Sequence, residues 1–283
     1  MADARTIDLG AGRSLHAVQA GRGPDLVLLH GAVATHRDWL EGPFDALARD
    51  FRVTAVDRPG HGLSRRPRFE GTPRDQAAQI RQGLEALGVG RAIFLGHSLG
   101  GLVALASAER FPESVAALVL VAPLAFPEAR PLEHGLFAPR AAPVVGPLLS
   151  SVGRATIDRP LLEMLQRLMF SPQPVPARWK ESYPYEHVLT SDAMVMEGEE
   201  TAAILPFAPA GTIDFAAVRA PIHILTGTAD KIVDPNLHAR PLARLLQGAR
   251  LTELEGIGHM VHQVAGEAVV EAVREAAALA AGV

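Results

Sequence analysis

Cysteine is absent from all 283 residues, which excludes disulfides, thiolate metal sites and a cysteine nucleophile. Lysine is nearly absent, occurring only as Lys180 and Lys231, and 27 basic residues face 31 acidic ones. The formal charge of −4 leaves no basic footprint, so no nucleic-acid partner is expected. The longest apolar stretch, from Val115 to about Phe126, is too short to span a bilayer. The opening residues Met1 to Thr6 carry an acid and no apolar core, unlike a secretory signal. A cytoplasmic protein without membrane association is therefore expected.

What the chain does have is apolar content, 48% of its residues, enough for a large core. Short apolar runs alternate with helical patterns, which predicts a mostly parallel sheet covered on both faces. The expected strands are Thr6 to Leu9, Ser14 to Gln19, Asp25 to Leu29, Phe51 to Val56, Ala92 to Leu95, Val115 to Val121, Ile222 to Leu225 and Arg250 to Leu254. Helices are predicted over Trp39 to Asp50, Thr72 to Leu87, Leu99 to Phe111, Pro235 to Leu246 and His262 to Ala281.

The alternation stops at Pro123. Through Thr212 prolines cluster and only helical stretches recur, around Pro160 to Phe170 and Ser191 to Ile204. The apolar content of this segment argues against a disordered linker.

The chain is organised around Gly96-His97-Ser98-Leu99-Gly100, set between an apolar strand and an apolar helix. A strand that turns directly into a helix strains its corner residue, and glycines two positions away relieve the crowding. The Gly-x-Ser-x-Gly pattern in that context is a nucleophile elbow, with Ser98 at a helix N-terminus suited to a developing oxyanion. Acyl transfer by serine further needs a base and a group to orient it, in the chain order Ser, acid, His. Asp230 and His259 each follow a predicted strand and supply that order. Rivals fit less well. Asp234 precedes Pro235 and suits a helix cap, His97 sits beside the nucleophile facing away, and His262 lies past the strand end.

His30-Gly31-Ala32 after the third strand and Asp57-Arg58-Pro59-Gly60-His61-Gly62-Leu63-Ser64 after the fourth resemble the α/β-hydrolase superfamily. So does the elbow. The resemblance covers about 6–122 and 213–283. It implies an α/β-hydrolase fold with an eight-stranded sheet and a helical cap, 123–212, inserted after the sixth strand. It also implies an oxyanion hole from the backbone N–H groups of Leu99 and of Ala32, with Val33 as the alternative, and structural anchoring by Asp57 and His61.

The expected activity is hydrolysis of a small, largely apolar carboxylic ester through a Ser98–His259–Asp230 acyl-enzyme mechanism, with no metal or organic cofactor. A serine in the elbow disfavours the aspartate-dependent dehalogenase and epoxide hydrolase chemistries of the superfamily. Carbon–carbon bond hydrolysis of ring-cleavage products, or ligand binding with weak hydrolysis, are the alternatives. Trp39, Phe126, Phe137, Met169, Met194 and His262 are the candidate pocket residues. A homo-oligomer is compatible with the sequence, but no residue selects its surface.

Overall fold

A computed structural model describes residues 2–206, 208, 212–246 and 248–282. The apolar runs pair into one eight-stranded sheet in the order β1-β2-β4-β3-β5-β6-β7-β8. Its strands are β1 (Asp3–Gly10), β2 (Arg13–Ala20), β3 (Asp25–Leu29), β4 (Arg52–Val56), β5 (Ala92–His97), β6 (Val115–Val121), β7 (Ile222–Gly227) and β8 (Arg250–Leu254). β1 and β2 join antiparallel, and β2 runs antiparallel to β4. All other pairings are parallel. The interior strands β5 and β7 are buried along their whole length, which is why they read as unbroken apolar runs rather than alternating ones.

Helices cover both faces. The short α1 (Arg37–Leu40) and α2 (Phe44–Leu47) follow β3, and α3 (Pro73–Ala86) and α4 (Leu99–Arg110) flank β5 in the chain. One expected helix over Trp39 to Asp50 is in fact two, because Gly42-Pro43 interrupts it and Pro43 supplies no amide. α3 opens on a capping box in which the Thr72 side chain accepts from the Asp75 amide and Asp75 reaches back to Thr72.

Among the described residues between β6 and β7 lie six α-helices: α5 (Pro131–Phe137), α6 (Val145–Thr156), α7 (Asp158–Phe170), α8 (Ala177–Ser182), α9 (Tyr185–Val188) and α10 (Ser191–Ala203). They build their own apolar cluster from Phe137, Leu162, Leu165, Phe170, Trp179, Tyr183 and Met194. Val33 and Met260, from loops at the sheet's edge, belong to the same cluster and tie the inserted helices to the strand ends. Gly198 lets α10 approach closely, since a Cβ there would stand 2.6 Å from the Phe137 carbonyl oxygen.

α11 (Ala239–Leu245), α12 (Val261–Val264) and α13 (Gly266–Ala281) complete the chain. α11 starts later than its sequence suggests. Asp234 Oδ1 accepts the Asn236 amide at 2.8 Å and holds 235–238 in a turn. The last helix is broken between α12 and α13 at Ala265, whose ψ of 45° is not helical. Among the described residues, no helix is long and apolar enough to cross a membrane.

Candidate active site

The corner after β5 carries the strain its sequence implies. Ser98 has φ 52° and ψ −119°, a conformation rare for a residue with a side chain. The corner closes only because its neighbours are glycines. A Cβ on Gly96 would lie 2.5 Å from the Gly100 carbonyl oxygen, and one on Gly100 would lie 2.3 Å from that of Leu29. Ser98 thereby caps α4 with its side chain buried but on the wall of a cavity. The Ser98 amide donates to Val121 O at 2.9 Å, fixing the corner to the end of β6.

Asp230 and His259 arrive from the loops after β7 and β8. His259 Nδ1 lies 2.8 Å from Asp230 Oδ2, and both side chains are almost fully buried. The other carboxylate oxygen of Asp230 accepts the amides of Ile232 at 2.8 Å and Val233 at 3.0 Å. An N–H on Nδ1 facing the carboxylate leaves Nε2 of His259 as the basic nitrogen. Ser98 and His259 line the same cavity. His97, expected to face away from the nucleophile, also lines this cavity and supports His259. Its Nε2 donates to the His259 carbonyl oxygen at 3.2 Å, and its ring lies 4.7 Å from the His259 ring. Burial, with His262 and His259 nearby, holds the His97 imidazole well below its ordinary pKa, so it is neutral.

The turn after β3 forms the facing wall. His30 Nδ1 donates to Gly31 O at 2.8 Å, and the Arg58 amide donates to His30 Nε2 at 3.0 Å. The Arg58 guanidinium donates to the carbonyls of His30 at 2.7 Å and Gly31 at 3.0 Å. Gly31 sits close against the elbow, and a Cβ there would crowd His97 Nδ1 at 3.0 Å and Ser98 Cβ at 3.2 Å. Ala32, Val33 and Leu99 line the cavity. The Val33 amide is engaged, donating to Glu197 Oε2 at 3.0 Å. Within the described residues, the amides of Ala32 and Leu99 have no such acceptor.

Asp57 and His61 stand apart from the cavity wall. Asp57 accepts the His36 amide at 2.7 Å, His36 Nδ1 at 2.8 Å and the Leu63 amide at 2.8 Å. Burial opposes its ionisation, but the hydrogen bond and charge of His36 prevail and its pKa is lowered to about 2. His61 Nε2 pairs with Glu200 Oε1 at 2.7 Å.

The cavity is partly open to solvent and lined mostly by apolar side chains, with a few polar groups among them. Of the candidate pocket residues, Phe137 and Met169 are on its wall. Four others are placed elsewhere, and the expectation for them is corrected. Trp39 is wholly buried beneath the sheet's other face, with its ring 4.7 Å from that of His262. His262 is itself buried, its Nε2 bonded to Asp38 Oδ1 at 2.8 Å. Met194 sits in the apolar cluster of the inserted helices, and Phe126 packs on the main core with its ring 5.3 Å from Phe215. Sequence reasoning missed the polar wall residues Arg130, Glu133, Glu197 and Thr201. The only sequence signal was Glu197-Gly198-Glu199-Glu200, an acidic run on a helix that reads as a solvated face.

Among the described residues, three clusters place histidine and carboxylate atoms together: His16, His36 and Asp57; Asp38, His97 and His262; and His61, Glu197 and Glu200. Each contains a direct pair at hydrogen-bond distance, His36–Asp57, His262–Asp38 and His61–Glu200. In each, that pair engages one histidine nitrogen and one carboxylate, while His97 Nδ1 has no hydrogen-bond partner among the described residues.

The sequence profile of the alpha/beta hydrolase family matches residues 26–272. The chain belongs to the alpha/beta hydrolase family. A pimeloyl-acyl-carrier-protein methyl ester esterase of Nitrosomonas europaea is 41% identical over 109 residues, covering 38% of this chain and 41% of that protein. Polyketide synthase ThaQ of Burkholderia thailandensis is 30% identical over 281 residues, 95% of this hydrolase chain but 12% of the synthase. The matches to these curated relatives span less than half of the relatives' own length. A thermophilic esterase from Thermogutta terrifontis superposes with a TM-score of 0.76 at 20% identity, covering 98% of this chain and 99% of that one. At that identity the hydrolase fold is what the two share.

Proposed function

We propose that this alpha/beta hydrolase is a serine esterase acting on a small, largely apolar carboxylic ester, with Ser98 as nucleophile, His259 as base and Asp230 as its orienting acid. The observation that carries the reading is the 2.8 Å contact of His259 Nδ1 with Asp230 Oδ2 on a loop whose imidazole shares a cavity with the strained Ser98. Leu99 and Ala32 supply the two oxyanion N–H groups, and the six helices after β6 act as the cap that encloses the substrate. The methyl ester esterase activity of the Nitrosomonas relative supports ester chemistry, and the apolar wall residues Leu124, Phe137, Leu165, Met169 and Ile232 support an apolar acyl or alkyl group. The enzyme works in the cytoplasm on a small molecule, without a cofactor.

The mechanism has two displacements. Ser98 Oγ attacks the carbonyl carbon as its proton passes to His259 Nε2, and the tetrahedral oxyanion accepts hydrogen bonds from the Leu99 and Ala32 amides. Asp230 stabilises the imidazolium. Collapse breaks the ester C–O bond, and His259 returns the proton to the departing alcohol. A water then gives a proton to His259 and attacks the acyl-enzyme, releasing the acid and restoring Ser98.

The test is hydrolysis of a chain-length series of nitrophenyl esters by the wild type and Ser98→Ala. Turnover by the wild type and a loss of about 10⁴-fold or more in the variant is expected. A wild type inert to every ester sinks the esterase reading and moves carbon–carbon bond cleavage of ring-cleavage products to the front.

A further inference from the structure

Val33 is a β-branched residue held at φ 45°, immediately after the oxyanion turn His30-Gly31-Ala32. Such a residue does not rest in the left-handed region unless its surroundings impose it. Here they do, and they come from the inserted helices. The Val33 amide donates to Glu197 Oε2 of α10 at 3.0 Å. The Val33 carbonyl accepts from the Tyr183 hydroxyl, in the segment between α8 and α9. Both side chains are buried, Glu197 at 2% and Tyr183 at 7% exposure. Both contacts reach across at least 150 residues of sequence.

Given the serine-esterase reading above, we infer that Glu197 and Tyr183 are positioning residues that hold Val33 left-handed and so aim the Ala32 amide at the oxyanion. The Ala32–Val33 peptide plane carries the Val33 N–H that Glu197 holds, and the next plane carries the Val33 C=O that Tyr183 holds, so the two planes that follow the Ala32 Cα are both fixed. The core holds the plane on the other side of the Ala32 Cα, since the Gly31 carbonyl that Arg58 engages shares its peptide unit with the Ala32 N–H, and the direction of that N–H is set between the two grips. Without the insertion-side grip, Val33 relaxes to negative φ and rotates the turn. A rotation of that size misdirects an N–H whose value depends on pointing at the oxyanion rather than at the ground-state carbonyl.

The protonation states fit this role. Burial raises the Tyr183 hydroxyl well above its ordinary pKa, so it remains a donor to Val33 O. Burial also raises the Glu197 carboxyl, against the pull of His61 and the Val33 N–H, and either protonation state keeps an acceptor oxygen for that amide. Glutamine preserves the acceptor and leucine removes it.

The experiment compares Glu197→Gln, Glu197→Leu and Tyr183→Phe with the wild type. It reads kcat and KM on a nitrophenyl ester, inhibition by a trifluoromethyl ketone, the labelling rate of a fluorophosphonate, and Tm. Glu197→Leu and Tyr183→Phe are expected to lose kcat on the order of 10–100-fold with KM nearly unchanged. The ketone, whose adduct carries an oxyanion, should weaken by a similar factor, and Glu197→Gln should recover most of the loss. Unchanged kcat in folded Glu197→Leu and Tyr183→Phe, or losses confined to KM, overturn the positioning role. Failure of the esterase reading is separable, because then neither esters nor the fluorophosphonate respond to Ser98→Ala. If esters alone prove to be the wrong substrates, the labelling rate of Ser98 still reports the oxyanion turn and must fall in Glu197→Leu.

Discussion

Asp230 presents one carboxylate oxygen to His259 Nδ1 at 2.8 Å while its other oxygen is committed to the amides of Ile232 and Val233. That division makes Asp230→Asn informative. The asparagine oxygen stays with the two amides, which turns its NH₂ toward Nδ1. Nδ1 must then accept, the proton moves to Nε2, and the imidazole cannot take the Ser98 proton. The expected outcome is a kcat loss of about 10³–10⁴ with little change in KM or Tm. A variant with near wild-type kcat in steady-state assays removes Asp230 from the mechanism.

Gly100 in the elbow and Gly135 in α5 differ sharply in the space around them. A methyl on Gly100 would stand 2.3 Å from Leu29 O and 2.5 Å from His30 O, both backbone atoms where β3 runs into its turn. Gly100→Ala is expected to destabilise by about 3 kcal/mol and to abolish most activity. A methyl on Gly135, inside α5, would meet no described atom within 4 Å. Gly135→Ala is expected to raise stability by about 0.5–1 kcal/mol, through helix propensity and a less flexible unfolded chain. Denaturant midpoints for the two variants should move in opposite directions.

The interior strands were legible because they are covered on both faces and read as apolar runs, and the candidate triad because each member follows an expected strand. Ser98, Asp230 and His259 fall at strand ends, where an open parallel sheet places its sites. The inserted helices were far less legible. Prolines at 139, 143 and 147 obscured α6, and the apolar spacing of Trp39 and Met194 could not separate core from pocket. Glu197 was invisible for another reason. Its partner Val33 is 164 residues away, and an acidic run on a helix reads as solvated until the fold brings Arg58, His61 and Arg66 against it.

Stability should fall on the acid side in two stages. His30 and His97 are held well below their ordinary pKa by burial, so the unfolded chain takes up their protons first and stability drops as pH falls below about 6.5. Burial disfavours the ionised Glu200, yet Arg58 and His61 hold its pKa to about 2, as His36 does for Asp57. For these acids the contribution is complete above the unfolded value and is lost as pH falls from about 4.5 toward 2. Glu197, raised by burial, acts in the opposite sense and offsets part of this. Thermal melts from pH 8 to 3 should show Tm declining from about pH 6.5 and more steeply below 4.5. A Tm that rises between pH 7 and 5 contradicts the assignment.

Phe137 is buried on the cavity wall and belongs to the cluster of the inserted helices. Phe137→Ala removes a ring from both. The cost in stability is expected at about 3 kcal/mol. The space released adjoins the substrate, so the chain-length optimum of the nitrophenyl series should move to longer acyl groups. An unchanged optimum in a folded variant would place the acyl group against another wall.

Arg58 is wholly buried and serves two masters, the turn after β3 and the inserted helices. It donates to His30 O and Gly31 O on one side, and to Gln76 Oε1 at 2.7 Å and Glu200 Oε2 at 2.9 Å on the other. Arg58→Leu leaves the Glu200 carboxylate buried beside His61 with its strongest counter-charge gone. Breaking a buried pair in this way costs about 3–5 kcal/mol. Removing both charges with Arg58→Leu and Glu200→Leu relieves the stranded carboxylate, so the double variant should be more stable than Arg58→Leu alone. Activity should stay low in both, because neither restores the donors to His30 O and Gly31 O. Urea unfolding of the single and double variants measures the first effect and ester turnover the second. Additive stability losses would mean that Arg58 and Glu200 act independently, despite their 2.9 Å contact.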